Sequence, residues 1–233
     1  MTKQRPILGL DLDNSVFWEA QPFLDATNDQ FNASVPLHEY SENHAKMWGV
    51  SPTVANKRTE WWHASGHIAD LPLLPDAYEV LGTIHETHDI VPLTSRRFDH
   101  RKFTYLALAK TGLDAFLEPP IFTGFYRSGA EGKVHATKVD ILQAMGAEGH
   151  LDDMLKHLGD LSVERPIARP AHPNGNVVDL AAYRRRMARR PVHGITMGNY
   201  HWNQADRLPD KVVRANNWLA ALDHYKQHFA EAA

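Results

Sequence analysis

Short apolar runs alternate along the chain with stretches whose apolar residues recur every three or four positions. The first run, Pro6-Ile7-Leu8-Gly9-Leu10, is apolar on both faces and stops at Asp11-Leu12-Asp13-Asn14-Ser15. A short continuous run of this kind suits a central strand of a parallel sheet, which is covered on both sides. Four more follow: Ile90-Val91-Pro92-Leu93, Pro120-Ile121-Phe122-Thr123, the weaker His150-Leu151, and Val192 to Met197. Pro92 removes one ladder donor, which predicts an edge or bulged position for the second strand. Between the runs, helical spacing appears in Ala77/Val80/Leu81/Ile84, Phe103/Leu106/Ala107, Val139/Leu142/Met145 and Trp218/Leu222/Tyr225/Phe229. The capping-box pair Thr137 and Asp140 predicts that the third of these helices starts at about Lys138. Strands alternating with helices predict an α/β fold with a central parallel sheet.

Two stretches break the alternation. Residues 16–72 read as helical and are rich in Phe, Trp and His, with Ser51-Pro52 as an N-cap and first-turn pair. They predict a helical module inserted after the first strand, with residues 1–15 and 73–233 forming the α/β core. Residues 159–191 contain Pro166, Pro170, Pro173 and Gly175 and then a basic run, Arg184 to Arg190. This reads as a long loop with a short basic helix. The run is either a solvated face or a patch for a polyanion such as a nucleic-acid strand.

Composition narrows the class. At 233 residues, with 43% hydrophobic residues and a formal net charge of -3, the chain suits one large domain carrying a smaller module. The near-zero charge gives no global case for nucleic-acid binding. The absence of cysteine excludes a disulfide scaffold, a thiolate metal site and a cysteine nucleophile. No run approaches the ~18 apolar residues of a membrane span, and the first residues lack a signal-peptide pattern. A cytoplasmic protein with no membrane partner is expected. Pairing of two copies stays open.

The carboxylates carry the chemistry. Asp11 and Asp13 end the first strand, where open α/β sheets place their ligands, and residues i and i+2 of an extended segment share a side. Asp152 and Asp153 end another apolar run. Four acids at two strand tips repel one another unless a cation neutralises them, and all-oxygen ligation suits Mg²⁺. The expected metal set is therefore Asp11, Asp13, Asp152 and Asp153. An anion-binding ammonium belongs at a helix start, which favours Lys138 and leaves Lys133 as the alternative.

The order Asp11-x-Asp13, Thr94, Lys138, Asp152-Asp153 resembles motifs I to IV of the haloacid dehalogenase (HAD)-like phosphohydrolases, over about residues 6–230. The helical insert matches the position of their α-helical cap. Within that superfamily the chain most resembles the 5'(3')-deoxyribonucleotidase and 5'-nucleotidase group. The supporting stretches are Leu74-Pro75-Asp76-Ala77, Thr94-Ser95-Arg96, Tyr200-His201-Trp202-Asn203 and Val213-Arg214-Ala215-Asn216-Asn217-Trp218.

The resemblance implies a HAD-like Rossmannoid core and a Mg²⁺-dependent phosphatase. Asp11 would be the nucleophile and Asp13 the acid and base. Thr94, Ser95 and Lys138 would hold the phosphate. Asp152 would complete the metal site, with Asp153 binding through water or orienting its neighbours. The implied substrate is a nucleoside monophosphate. Alternatives are another small phosphomonoester, a nucleic-acid terminal phosphate, or a nucleotide-binding module that has lost turnover. Two departures stand out: Asn14 replaces a small residue in a tight turn, and Ser15 adds a hydroxyl near the expected metal.

Substrate contacts are expected from Phe17, Trp18, Trp62 and Arg96. Phe17 and Trp18 follow the first motif, and an aromatic face can stack on a base. Trp61 and Trp62 are adjacent on a helix, so only one can face a given surface. The guanidinium of Arg96 suits planar acceptors. Packing within the insert competes with these roles for every aromatic residue. His85 and His88 have metal-ligand spacing without a third ligand nearby, so no zinc site is expected there.

Overall fold

The computed structural model describes residues 5–123, 137–158, 193–205 and 207–229. Six parallel strands form one sheet: β1 (Ile7–Leu10), β2 (Asp89–Thr94), β3 (Ile121–Phe122), β4 (Gly149–Asp152), β5 (His193–Met197) and β6 (Val212–Ala215). Their order is β3-β2-β1-β4-β5-β6. The chain runs outward from β1 in one direction and then in the other, so β1 and β4 flank the point where strand order reverses. That is where doubly wound sheets bind ligands, beyond the carboxyl ends of the strands.

Every residue of β1 and β4 is buried. The helices covering the sheet are α4 (Ala77–His85), α5 (Arg101–Thr111), α6 (Lys138–Met145) and α7 (Trp218–His228). Gly9 allows α6 to lie close over β1. A Cβ there would collide with Leu142 Cδ2 and come within 2.9 Å of His150 Nδ1.

Three sequence expectations change. Pro92 sits inside the sheet, because β2 pairs with β1 on one side and β3 on the other. Asp89 N–H bonds toward β1, whereas the Ile90 and Thr94 carbonyls accept from Glu118 and Thr123 on the β3 side. Alternation along the strand therefore aims the Pro92 nitrogen at the β3 side, between the Ile90 bond and the pairing at Ile121. The lost donor falls in a gap of the ladder. His150-Leu151, weak in sequence, belongs to a central strand held by β1 and β5 on its two sides. The sixth strand, β6, was not expected from its short, arginine-broken pattern. Arg214 is accommodated by Asn203, whose carbonyl and Oδ1 each accept from the guanidinium at 2.8 Å.

The insert after β1 contains α1 (Ala20–Phe31), α2 (His44–Met47) and α3 (Pro52–Ser65), joined by irregular chain and single 3-10 turns. Ser51 Oγ caps α3 and Pro52 occupies its first turn, as the sequence predicts. Phe23 lies at the centre of the insert, its ring 5.3 Å from Trp62, 5.6 Å from Trp48, 5.1 Å from His44 and 5.9 Å from Tyr40. Such aromatic pairs contribute about 0.5–1.5 kcal/mol each beyond area burial. The cluster is continuous with the sheet core through Leu10, Leu12, Val16 and Phe17.

Asn14, in place of a small residue at the turn into the insert, adopts the left-handed conformation at φ 57° that Asn tolerates. Its Oδ1 accepts from the N–H groups of Glu19 and Ala20 at 3.2 and 2.9 Å, satisfying donors at the start of α1. Among the described residues no helix is long and apolar enough to cross a membrane.

Candidate active site

Asp11 extends the β1 ladder by one bond, its N–H donating to the Leu151 carbonyl at 2.8 Å. The strand tip is thereby fixed beside the end of β4, and the Asp11 carboxylate meets those of Asp152 and Asp153. One ligand oxygen from each of the three lies within 4.8 Å of the others, and all three residues are buried. The capping box at Thr137 and Asp140 starts α6 at Lys138. The Lys138 ammonium donates to Asp11 Oδ1 and, at 2.7 Å, to Asp152 Oδ2. Lys133 and the Arg184–Arg190 run lie outside the described residues.

Burial of so many charges shifts their protonation. Asp11 is raised to about 7, desolvation working upward against the pull of Lys138 with Asp152 and Asp13 adding to the rise. Desolvation also works to raise Asp152, but Lys138, His157 and the hydrogen bonds of His150 and His157 hold it well below the usual carboxylate range. Its oxygens accept from His150 Nε2 at 3.0 Å, His157 Nδ1 at 3.0 Å and the Met154 N–H at 2.8 Å. Asp153 is pushed well up by burial and by Asp11 and Asp152, while its Oδ2 accepts from Trp202 Nε1 at 2.7 Å. Lys138 stays protonated, because the two aspartates outweigh its desolvation.

Asp13 stands apart from this cluster. Arg96 grips it in a bidentate pair, Nε 3.0 Å from both carboxylate oxygens and Nη2 2.6 Å from Oδ1. The guanidinium also donates to Thr104 at 3.3 Å and lies 5.3 Å from the Phe17 ring centroid. Arg96 is therefore a structural partner of Asp13 as well as a cleft residue. Thr94 is fully buried, and its hydroxyl oxygen accepts the Arg96 N–H at 3.1 Å.

A cleft open to solvent lies between the strand tips and the insert, with Asp152 and Thr94 fully buried behind its lining. Its core side carries Asp11, Asp13, Ser95, Arg96, Lys138 and Asp153. Trp62 lines the opposite side. Phe17 does not: it is fully buried because the turn at Leu12–Phe17 directs it into the core. Trp18 is also absent from the lining and stacks on Tyr200, with centroids 5.7 Å apart. Ser15 is fully buried outside the lining, and its carbonyl accepts from Trp218 Nε1.

Sequence reasoning missed Glu19, Tyr40, His44, His63 and His157, all of which line the cleft. The one available signal was Glu19, an acid directly after the apolar run Val16-Phe17-Trp18. Trp202, outside the lining, reaches the cluster through its bond to Asp153, which nothing in its sequence position signals. His85 and His88 join no three-ligand cluster among the described residues.

No family model and no curated protein matches the chain. Solved structures do. A predicted phosphatase from Clostridium acetobutylicum aligns with a TM-score of 0.61 at 11% identity, covering 98% of this chain and 100% of that one. A haloacid dehalogenase-like hydrolase from Streptococcus pneumoniae aligns at 0.57 with 11% identity, covering 95% and 98%. A predicted phosphoglycolate phosphatase from Haemophilus somnus aligns at 0.56 with 11% identity, covering 96% and 99%. The chain therefore has the haloacid dehalogenase-like fold, with a buried acidic cluster at the reversal of its sheet.

Proposed function

We propose that this chain is a Mg²⁺-dependent phosphomonoester hydrolase acting on nucleoside monophosphates. The observation that carries the reading is the convergence of Asp11, Asp153 and Lys138 on one cleft at the carboxyl ends of β1 and β4, with Asp152 buried beside them and bonded to Lys138. The donor set fits a hard divalent cation, being three carboxylates with oxygens within 4.8 Å of one another. Asp11, Asp152 and Asp153 would hold it. When bound, such an ion supplies neutralisation of charge on the phosphoryl oxygens.

The chain's own groups then divide the work. An Asp11 carboxylate oxygen attacks phosphorus while the bond to the leaving oxygen breaks, giving an aspartyl phosphate and an alcohol. Asp13 delivers the proton that the leaving oxygen needs and later takes one from the water that cleaves the new P–O bond. Arg96 holds both Asp13 oxygens, so one must swing off the guanidinium to reach substrate. Lys138, fixed on Asp11, meets the incoming phosphate with positive charge. Phe23 and Trp62 offer apolar surface beside hydrogen-bonding groups, which supports a leaving group with a flat face and a polar edge.

Phosphate release from a panel of mononucleotides, with Mg²⁺ and with a chelator, tests this. Release is expected only with metal, and Asp11→Asn should lower kcat by roughly 10³-fold or more. Undiminished turnover in that variant removes the covalent mechanism.

A further inference from the structure

The insert's wall of the cleft differs in chemistry from the strand tips beneath it. Glu19 is 8% exposed, and its Oε1 accepts from Trp62 Nε1 at 2.9 Å. His44 Nδ1 lies 2.8 Å from Thr59 Oγ1, whose single hydrogen goes to the Ala55 carbonyl at 3.0 Å. The ring must therefore be the donor in that pair, which leaves its Nε2 as a bare acceptor when the ring is neutral. His63 is 6% exposed, lines the same cleft, and has an Nδ1 with no hydrogen-bond partner. Buried unpaired polar atoms are rare and costly, so a ligand that pairs one recovers that cost.

Desolvation keeps both imidazoles neutral, at about 4 for His44 and about 3 for His63. Desolvation and Asp13 raise Glu19 to about 8, so its free oxygen can also donate near neutral pH. Positive charge is not on offer here. Among the described residues lining the cleft, Arg96 and Lys138 are already paired with carboxylates. Glu42 adds a further acid, paired with Lys156.

We propose that Glu19, His44 and His63 form a subsite for an uncharged leaving group rich in N–H and O–H donors, one that rejects leaving groups carrying a carboxylate or a second phosphate. This rests on the phosphomonoesterase reading above and selects within it. The acceptors match hydroxyl and amide hydrogens, whereas an incoming anion would meet acidic and neutral groups with no free cation among the described lining.

Two matched substrate pairs test the subsite through kcat/KM. A four-carbon polyol phosphate and butyl phosphate differ only in hydroxyl groups. Uridine and orotidine 5'-monophosphates differ only in a carboxylate. The wild type is expected to prefer the first member of each pair by at least about tenfold. Ionisation of Glu19 should raise the wild-type uridine-to-orotidine ratio between pH 7 and pH 9, a rise that Glu19→Gln should abolish, and His63→Phe should shrink the polyol-to-butyl ratio at least fivefold, with circular dichroism confirming that each variant folds. Equal or reversed ratios in the wild type, or unchanged ratios in both folded variants, overturn the proposal. If none of the four esters is hydrolysed, calorimetry with free uridine and orotidine separates the two readings. Binding of uridine alone retires the hydrolase and keeps the subsite, while binding of neither, or tighter binding of orotidine, overturns the subsite.

Discussion

The two walls of the cleft are held together by opposite means. On the core side each charge is locked to an opposite one: Lys138 spans Asp11 and Asp152, and Arg96 clasps Asp13. On the insert side Phe23 gathers Tyr40, His44, Trp48 and Trp62 around it, and the polar groups there are neutral or weakly acidic. A charge network in a dry site fails when one member is removed, because the remaining charge is left unpaired. An aromatic cluster loses only the area and contacts of the missing ring. The core wall should therefore be brittle and the insert wall forgiving.

The sharpest way to break this contrast is Lys138→Met. Asp11 and Asp152 lose the ammonium they share, and breaking a buried pair costs about 3–5 kcal/mol. The metal-free variant should lose about that much in urea unfolding. Saturating Mg²⁺ should restore part of it, since a divalent cation binding only the folded state stabilises by mass action. A deficit under about 1 kcal/mol, indifferent to Mg²⁺, would mean that the core wall is not held by charge.

Glu19 gives a pH-dependent comparison between the walls. Burial raises it from 4.5 to about 8, so between those values the unfolded chain has released a proton that the folded chain still holds. Stability then falls as pH rises from about 4.5 to about 8 and levels off above, where both states are ionised. Glu19→Gln keeps an oxygen for Trp62 and removes this slope. Melting curves should show wild type and variant close together at pH 4.5, and the variant more stable by a few kcal/mol at pH 9. A gap that closes with rising pH would place an ionised Glu19 in the resting protein.

How much of this was legible in the sequence follows from what each element depends on. The βα alternation, the strand tips at Asp11 and Asp152, and the start of α6 at Lys138 are local, written in apolar runs and a capping box. The sixth strand was not, because Arg214 interrupts its pattern and only Asn203 and Gly198 make that arginine acceptable at a sheet edge. Nor was the grip of Arg96 on Asp13, which joins residues 83 apart. Phe17 and Trp18 follow the Asp11-x-Asp13 motif in sequence, yet the turn at Leu12–Phe17 sends Phe17 into the core, and Trp18 stacks on Tyr200. The insert wall was hidden for the same reason. Glu19, His44 and His63 sit on separate helices or turns, and no spacing rule links them.

Arg96→Met probes the core wall more gently. Asp13 would lose its bidentate partner, but its side chain keeps 19% exposure and water can replace part of what is lost. About 2 kcal/mol of stability should go, less than for Lys138. Because the freed Asp13 no longer has to leave a guanidinium, kcat should fall less than substrate affinity if Arg96 also touches the phosphate. Equal losses in both would assign it to positioning Asp13 alone. Steady-state kinetics on the best mononucleotide separates the two.

The smallest effect compares two tryptophans, one serving each wall. Trp202 stacks on Tyr200 at 4.5 Å and donates to Asp153 Oδ2 at 2.7 Å, whereas Trp48 packs on Phe23 with an indole N–H that has no partner. Phenylalanine keeps a ring at either position. Trp202→Phe therefore removes a hydrogen bond to an acid of the cluster and should cost about 1 kcal/mol, with Mg²⁺ binding weakened roughly tenfold. Trp48→Phe removes no bond, so any loss reflects ring size alone and Mg²⁺ binding should not move. Calorimetric titration of both variants with Mg²⁺ reads the difference directly. Equal Mg²⁺ affinities would show that Trp202 only packs, and that the core wall does not extend its hold through Asp153 to the aromatic ring above it.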